Sequence, residues 1–171
     1  MTIRIFVSAC LVGQTVRYDG RAKTFAHPLI EQWRDEGRLV TMCPEVAAGF
    51  SVPRPPAEIA PGATADTVLA GDGRIVEKGG LDVTDRFLVG AELALDVALR
   101  NGCRFALMTD GSPSCGTRFV HAGQFDGRRR DGQGVVAARF VEAGIRVFPA
   151  EEIEALAAAL AQSERSAVTA S

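Results

Sequence analysis

The apolar positions of the chain follow two periods that take turns. Ile3 to Val7 reads as a buried strand bounded by Ser8-Ala9. His27 to Gly37 reads as a short helix, with Pro28 in its first turn and Gly37 as its stop. Leu39 to Met42 is a second strand. Thr84 to Asn101 carries the strongest helical stripe, with Phe87, Ala91, Leu95 and Ala98 or Leu99 on one face and Gly102 at its end. Phe105 to Met108 is a third strand, Gly134 to Ala143 a helix, and Ile145 to Phe148 a fourth strand. Ala150 to Gln162 is a final Ala-rich helix, and Ser163 to Ser171 reads as a frayed tail.

Strands alternating with helices predict an α/β chain, a Rossmann-like three-layer sandwich with a mainly parallel sheet. A single domain is expected over residues 3–152, with a C-terminal helix and flexible tail over 153–171. Pro44 to Asp82 breaks the rhythm, holding five of the eight prolines and no clear helix. Within this proline-rich excursion Val68 to Val76 reads as a hairpin around Asp72-Gly73.

Composition narrows the class. With 171 residues and 47% hydrophobic positions the chain is long and apolar enough to bury its own core. No apolar run approaches the roughly 20 residues that span a bilayer. The N-terminal run lacks the basic stretch, long apolar segment and cleavage site of a signal peptide, so a cytoplasmic location is expected and no membrane partner. A net charge of −2 gives no strong nucleic-acid signal. The pattern sets no oligomeric state.

Four cysteines change the picture. In a reducing compartment, ligation, catalysis or plain burial are their open roles. Cys10, Cys43 and Cys115 each follow the carboxyl end of a predicted strand, the edge where open α/β sheets bind ligands. Cys103 precedes the third strand, at the opposite end. Structural zinc favours four protein ligands, often in close Cys-x-x-Cys pairs, which are missing here. An iron–sulfur cluster on three cysteines with one open iron suits the trio better; three small buried hydrophobes remain the bland alternative. Glu45, two residues after Cys43, is a candidate general acid or base. The Ser112-Pro113-Ser114-Cys115-Gly116 turn offers Ser112 and Ser114 to a substrate carbonyl or a water, with Gly116 allowing close approach to a ligand.

Other residues read as structural. Arg17, Asp19 and Lys23 form a charged turn. Arg54 lies within reach of the site, yet Pro53 and Pro55 suffice to explain a stiff loop. Arg128-Arg129-Arg130 reads as a solvated turn. His27 and His121 are isolated, and Trp33 and Tyr18 read as packing residues.

Several motifs occur together in a fixed order: Ser8-Ala9-Cys10-Leu11-Val12-Gly13, Arg17-Tyr18-Asp19-Gly20, Cys43-Pro44-Glu45-Val46, Pro53-Arg54-Pro55-Pro56-Ala57-Glu58, Asp82-Val83-Thr84, Ser112-Pro113-Ser114-Cys115-Gly116, Gln124-Phe125-Asp126-Gly127 and Gly144-Ile145-Arg146-Val147-Phe148. Together they resemble the TudS-type thiouracil desulfurases, formerly a domain of unknown function. The resemblance covers residues 3 to 152. It implies a 4Fe–4S cluster on Cys10, Cys43 and Cys115, with an open iron for the thiocarbonyl sulfur of a thiolated pyrimidine such as 2-thiouracil. It also implies catalytic roles for Glu45 and Ser112, and products that are the oxo-pyrimidine and sulfide, a hydrolysis without net electron transfer. Ser114 is expected to bind substrate. Many relatives carry a further cysteine where this chain has Val16, a position the three-cysteine set does not need. Two other classes compete: a non-catalytic iron–sulfur or zinc sensor, and a metal-free nucleotide-binding α/β domain.

Overall fold

The computed structural model describes residues 2–170. β1 (Ile5–Ser8) runs into a 3-10 turn, Ala9–Val12, and a long loop leads to α1 (Pro28–Asp35). β2 (Leu39–Met42) follows. The excursion then holds α2 (Pro44–Ala47), β3 (Ala57–Ile59), α3 (Ala65–Leu69) and β4 (Ile75–Glu77). The long helix α4 (Thr84–Arg100) returns the chain to β5 (Phe105–Met108). A hairpin of β6 (Phe119–His121) and β7 (Arg129–Asp131) comes next, before α5 (Val135–Glu142), β8 (Arg146–Pro149) and α6 (Ile153–Thr169).

The central sheet has the order β2-β1-β5-β8 and is parallel throughout, with Ile5 opposite both Leu39 and Phe105 and Phe105 opposite Arg146. Alternating side chains feed two cores. Phe6, Ala106 and Met108 face the layer of α4 and α5, while Ile5, Val7, Phe105 and Leu107 face α1 and α6. Burial on both faces explains why β1 and β5 read as continuous apolar runs. The edge strand β2 is only half-buried.

The stripe on α4 is Phe87, Ala91, Ala94, Leu95 and Ala98, whereas Leu99 is exposed. Burying a side chain such as Phe87 or Leu95 contributes about 1.5–3 kcal/mol. Gly102, at φ +67, ends the helix: its N–H donates to the Leu99 carbonyl and the Cys103 N–H to that of Ala98. His27 caps α1, its Nδ1 accepting from the Leu29 N–H at 3.2 Å.

Three regions depart from the sequence reading. Val68 to Val76 is not a hairpin. Thr64 and Thr67 form a reciprocal capping box that starts α3 at Ala65, Val68 is fully buried, and β4 pairs antiparallel with β3 instead. The excursion therefore contains helices, α2 and α3, where none was expected. Most of the expected tail is helical, because α6 continues to Thr169 and Arg38 Nη1 donates to Glu164 at 2.6 Å. Ser171 lies outside the described residues. Ile153, Leu156, Ala159 and Leu160 pack into the second core, so α6 is integral to the sheet's outer layer. Among the described residues, no helix is long and apolar enough to cross a membrane.

The order of strands positions a site. From β1 the chain moves to β2 on one side, then crosses back to β5 on the other. Such a switch opens a crevice beyond the carboxyl ends of β1 and β5. α2 is held over this crevice by α4. At their crossing, a Cβ on Gly90 would sit 2.7 Å from the Pro44 carbonyl oxygen. Gly90→Ala gains about 1 kcal/mol of helix propensity but overpacks against backbone, at a cost of about 1–3 kcal/mol. A net loss of stability is expected, read as a lower urea midpoint; an unchanged or higher midpoint would show that α2 is free to move.

Candidate active site

Cys10 lies in the turn after β1, Cys43 caps the start of α2 and Cys115 lies in the turn after β5. All three line one cavity of about 400 Å³, together with Glu45, Ser112 and Ser114. Cys103 is buried elsewhere, within the core beneath α4. All four are free thiols.

Burial holds these thiols neutral at pH 7. It pushes Cys10 up to about 11, with a further contribution from Cys43. Burial also raises Cys43, and raises Cys115 most strongly despite a hydrogen bond from Ser8. A free thiolate nucleophile is thus disfavoured, whereas a bound cationic metal centre would offset the charge and release the protons. Among the described residues, no three His, Cys, Asp or Glu side chains converge closely enough to hold a single metal ion. Three soft donors around a shared cavity, spread wider than one ion requires, fit a polynuclear cluster better than zinc.

Beside the thiols, Glu45 is largely buried, its side chain 13% exposed. Its Oε2 accepts from Arg54 Nε at 3.0 Å and from Arg54 Nη2. Nη2 also donates to the Val16 carbonyl at 3.0 Å, and Nη1 to that of Ser51 at 3.1 Å. Arg54 is therefore much more than part of a stiff loop: it reaches across to the site carboxylate. Glu45 Oε1 accepts from the Ser114 hydroxyl at 3.2 Å. Ser112 Oγ lies 2.9 Å from Ser114 Oγ and accepts the N–H groups of Ser114 and Cys115. With the Ser114 proton on Glu45, the Ser112 hydroxyl is left to donate to Ser114. Ser114 is thus the serine in contact with the carboxylate, and Ser112 shapes the turn behind it.

The turn that presents Cys115 is anchored at its base. Asp110 Oδ1 accepts from Thr117 N at 2.8 Å and Arg118 N at 2.9 Å, and Oδ2 accepts from Arg118 Nε at 2.8 Å. A Cβ on Gly116 would lie 2.7 Å from the Phe119 carbonyl oxygen, and one on Gly134 would lie 2.4 Å from that of Ser114. The missing side chain of Gly116 thus lets the turn close on its own backbone. Ser8, buried at the end of β1, accepts from the Thr109 N–H at 3.3 Å and ties β1 to this turn. A polar residue closing an apolar strand was its signal in the sequence.

The remaining candidates divide. Val16, Arg17, Tyr18 and Lys23 line the cavity, with Arg17 3.9 Å from Asp19. Trp33 is core. The three arginines are not one solvated turn. Arg128 pairs with Asp126 at the surface, whereas Arg129 covers the Phe119 ring at 4.4 Å and lines the cavity. His121 lines it too. The β6–β7 hairpin that carries them escaped the sequence reading. Its strands are three residues each, too short to show a period, and β7 holds no apolar residue.

Burial alone would raise the Asp110 pKa, but the hydrogen bonds from Arg118 and Thr117 hold it below the usual 3.8. Its contribution to stability is complete above that value and is lost as the pH falls through the folded-state pKa. Asp110→Asn is expected to cost about 1–3 kcal/mol at pH 7 and to flatten the acid limb of a urea-midpoint profile below pH 3.8. An unchanged acid limb would remove Asp110 as the anchor.

Comparison with known proteins places the chain in a family. A family model described as 2-thiouracil desulfurase matches residues 5–152. A Bacillus subtilis (strain 168) protein, YbbK, itself uncharacterised, is 40% identical over 152 residues, covering 87% of this chain and 97% of that protein. The solved structure of a 4Fe–4S-dependent thiouracil desulfidase, TudS, superposes with a TM-score of 0.86 at 42% identity, covering 94% of this chain and 99% of the other. This chain belongs to the 2-thiouracil desulfurase family.

Proposed function

We propose that this protein converts a thiolated pyrimidine to its oxo form with release of sulfide, using a 4Fe–4S cluster held by Cys10, Cys43 and Cys115. The observation that carries the reading is one cavity lined by those three thiols and by Glu45. The 4Fe–4S dependence of TudS supports the choice of cluster, and the soft, widely spread donor set supports three thiolate ligands. A cavity of about 400 Å³ suits a small-molecule substrate.

When bound, the cluster supplies a Lewis-acidic iron suited to a soft ligand such as sulfur. The chain's own residues manage the proton and the water. Arg54 immobilises Oε2 of Glu45, which leaves Oε1 to act. Oε1 takes a proton from the water that attacks the thiocarbonyl carbon. The oxygen of that water becomes the carbonyl oxygen, and its second proton leaves with the sulfur as hydrosulfide. Glu45 then passes the first proton to the departing sulfur, which completes hydrogen sulfide and restores the carboxylate. Ser114, already donating to Oε1, orients the water or the ring, and Ser112 holds Ser114 in register. A carboxylate fixed in this way favours an enzyme over a passive sensor, which has no use for an oriented base.

The test is anaerobic reconstitution with iron and sulfide, followed by a sulfide-release assay on 2-thiouracil. Cys10→Ala, Cys43→Ala and Cys115→Ala are expected to lose bound iron and all turnover, while Cys103→Ala keeps both. Protein that builds the cluster fully yet releases no sulfide from any thiopyrimidine would overturn the activity. Glu45→Gln is expected to bind iron normally and lose about 10²–10⁴ in kcat; wild-type kcat in that variant would remove Glu45 from the chemistry.

A further inference from the structure

Tyr18, Phe50, Phe87, Phe119 and Phe125 are among the residues that line the cavity. Four of these already have company. Phe50 and Phe87 pack on each other with centroids 5.1 Å apart, Arg17 lies over Tyr18, and Arg129 covers Phe119. Among the described residues, Phe125 has no ring or cation against its faces.

Phe125 is also the one non-glycine residue among those described with a left-handed backbone, at φ +55. That conformation is unfavourable for a bulky side chain. It persists only where the surroundings impose it, and such places concentrate at ligand sites. Here the imposing group is Glu58, a buried carboxylate on β3. Its Oε2 accepts from the N–H groups of Gly123 at 2.7 Å and Phe125 at 3.2 Å. Gly123, at φ +92, passes so near β3 that a Cβ there would sit 2.6 Å from the Ile59 carbonyl oxygen. The loop is thus pinned twice to β3. A buried carboxyl side chain is devoted to two main-chain N–H groups, and the residue it holds in place is an aromatic that lines the cavity.

We propose that Phe125 is the surface on which the planar thiopyrimidine ring stacks, and that Glu58 is the positioning residue that holds it there. The proposal rests on the thiopyrimidine reading above. Stacking recognises the π-face of a heterocycle and is indifferent to which ring carbon bears sulfur. It therefore acts on binding and leaves the hydrolytic step to Glu45 and the metal centre.

The experiment uses the full chain, reconstituted with its cluster. It reads steady-state kinetics on 2-thiouracil and, separately, calorimetric binding of uracil, which needs no turnover. Phe125→Leu is expected to raise both KM and the uracil Kd about tenfold, with kcat within about twofold of wild type, while Phe125→Tyr keeps wild-type constants. Glu58→Leu should reproduce the KM effect, and Glu58→Gln, whose amide oxygen still accepts both N–H groups, should rescue it. Wild-type constants in Phe125→Leu overturn the proposal. So does an equal loss in Phe125→Leu and Phe125→Tyr, or a fall in kcat at unchanged KM. Uracil binding that depends on Phe125 in a protein releasing no sulfide supports the stack and sinks only the desulfurase reading. A wild-type protein that neither binds uracil nor releases sulfide sinks both.

Discussion

The Arg54 guanidinium is the joint on which the cavity depends. It bonds Glu45 on α2, the Val16 carbonyl in the loop after Cys10 and the Ser51 carbonyl in the excursion. Its own backbone N–H donates to the Tyr18 carbonyl at 2.8 Å. Two stretches that are distant in sequence, the loop after Cys10 and the segment after Cys43, are fixed relative to each other by one side chain. Only 6% of that side chain is exposed. Desolvating such a pair cancels much of its Coulombic gain, so net stability is a poor reason for it to exist. Geometry is the better reason. A planar fork with five donors sets the direction of a carboxylate in a way that a lysine cannot.

That joint supports two different chemistries side by side. The carboxyl edge of β1, β2 and β5 supplies three thiols in an apolar setting that keeps them protonated until a cation replaces the proton. A few residues away, the same edge supplies an oriented carboxylate and a two-serine relay. The soft and hard halves meet at Cys115. Its turn is braced from below by Asp110, and Ser114 lies next to it in the chain. The parallel sheet makes this possible, because it delivers strand ends that are far apart in sequence to a single crevice.

Period and punctuation carried much of the fold. The four sheet strands and α4 were legible because strands buried on both faces are unbroken apolar runs and a long amphipathic helix repeats its stripe. The thiol trio was legible because each thiol follows a strand end. What failed was long-range or locally ambiguous. Asp72-Gly73 is a good hairpin turn, yet the Thr64–Thr67 cap wins locally and turns Val68 into a helical core residue. Ser163 to Thr169 looked too polar to stay ordered, but the helix carries on past its last core contacts. Arg54 looked explained by its flanking prolines, since nothing local says that it reaches 38 residues back to Val16. The two serines of one motif are indistinguishable in sequence, and only their hydrogen bonds tell Ser114 from Ser112.

Val16, where the motif set leads one to expect a cysteine, serves the Arg54 joint through its main chain. Its contribution to the site is its carbonyl oxygen, which accepts from Arg54 Nη2 and lies 4.0 Å from the Cys43 sulfur. Its side chain packs against the second core. A main-chain acceptor is supplied equally by valine or cysteine, so the Arg54 joint survives the exchange. The three thiols that line the cavity are carried by other strand ends, and their approach owes nothing to a sulfur at position 16. The exchange replaces a reactive group with an inert branched one beside a cavity suited to a soft metal. The Arg54 joint therefore draws on position 16 through its main chain, which either residue supplies.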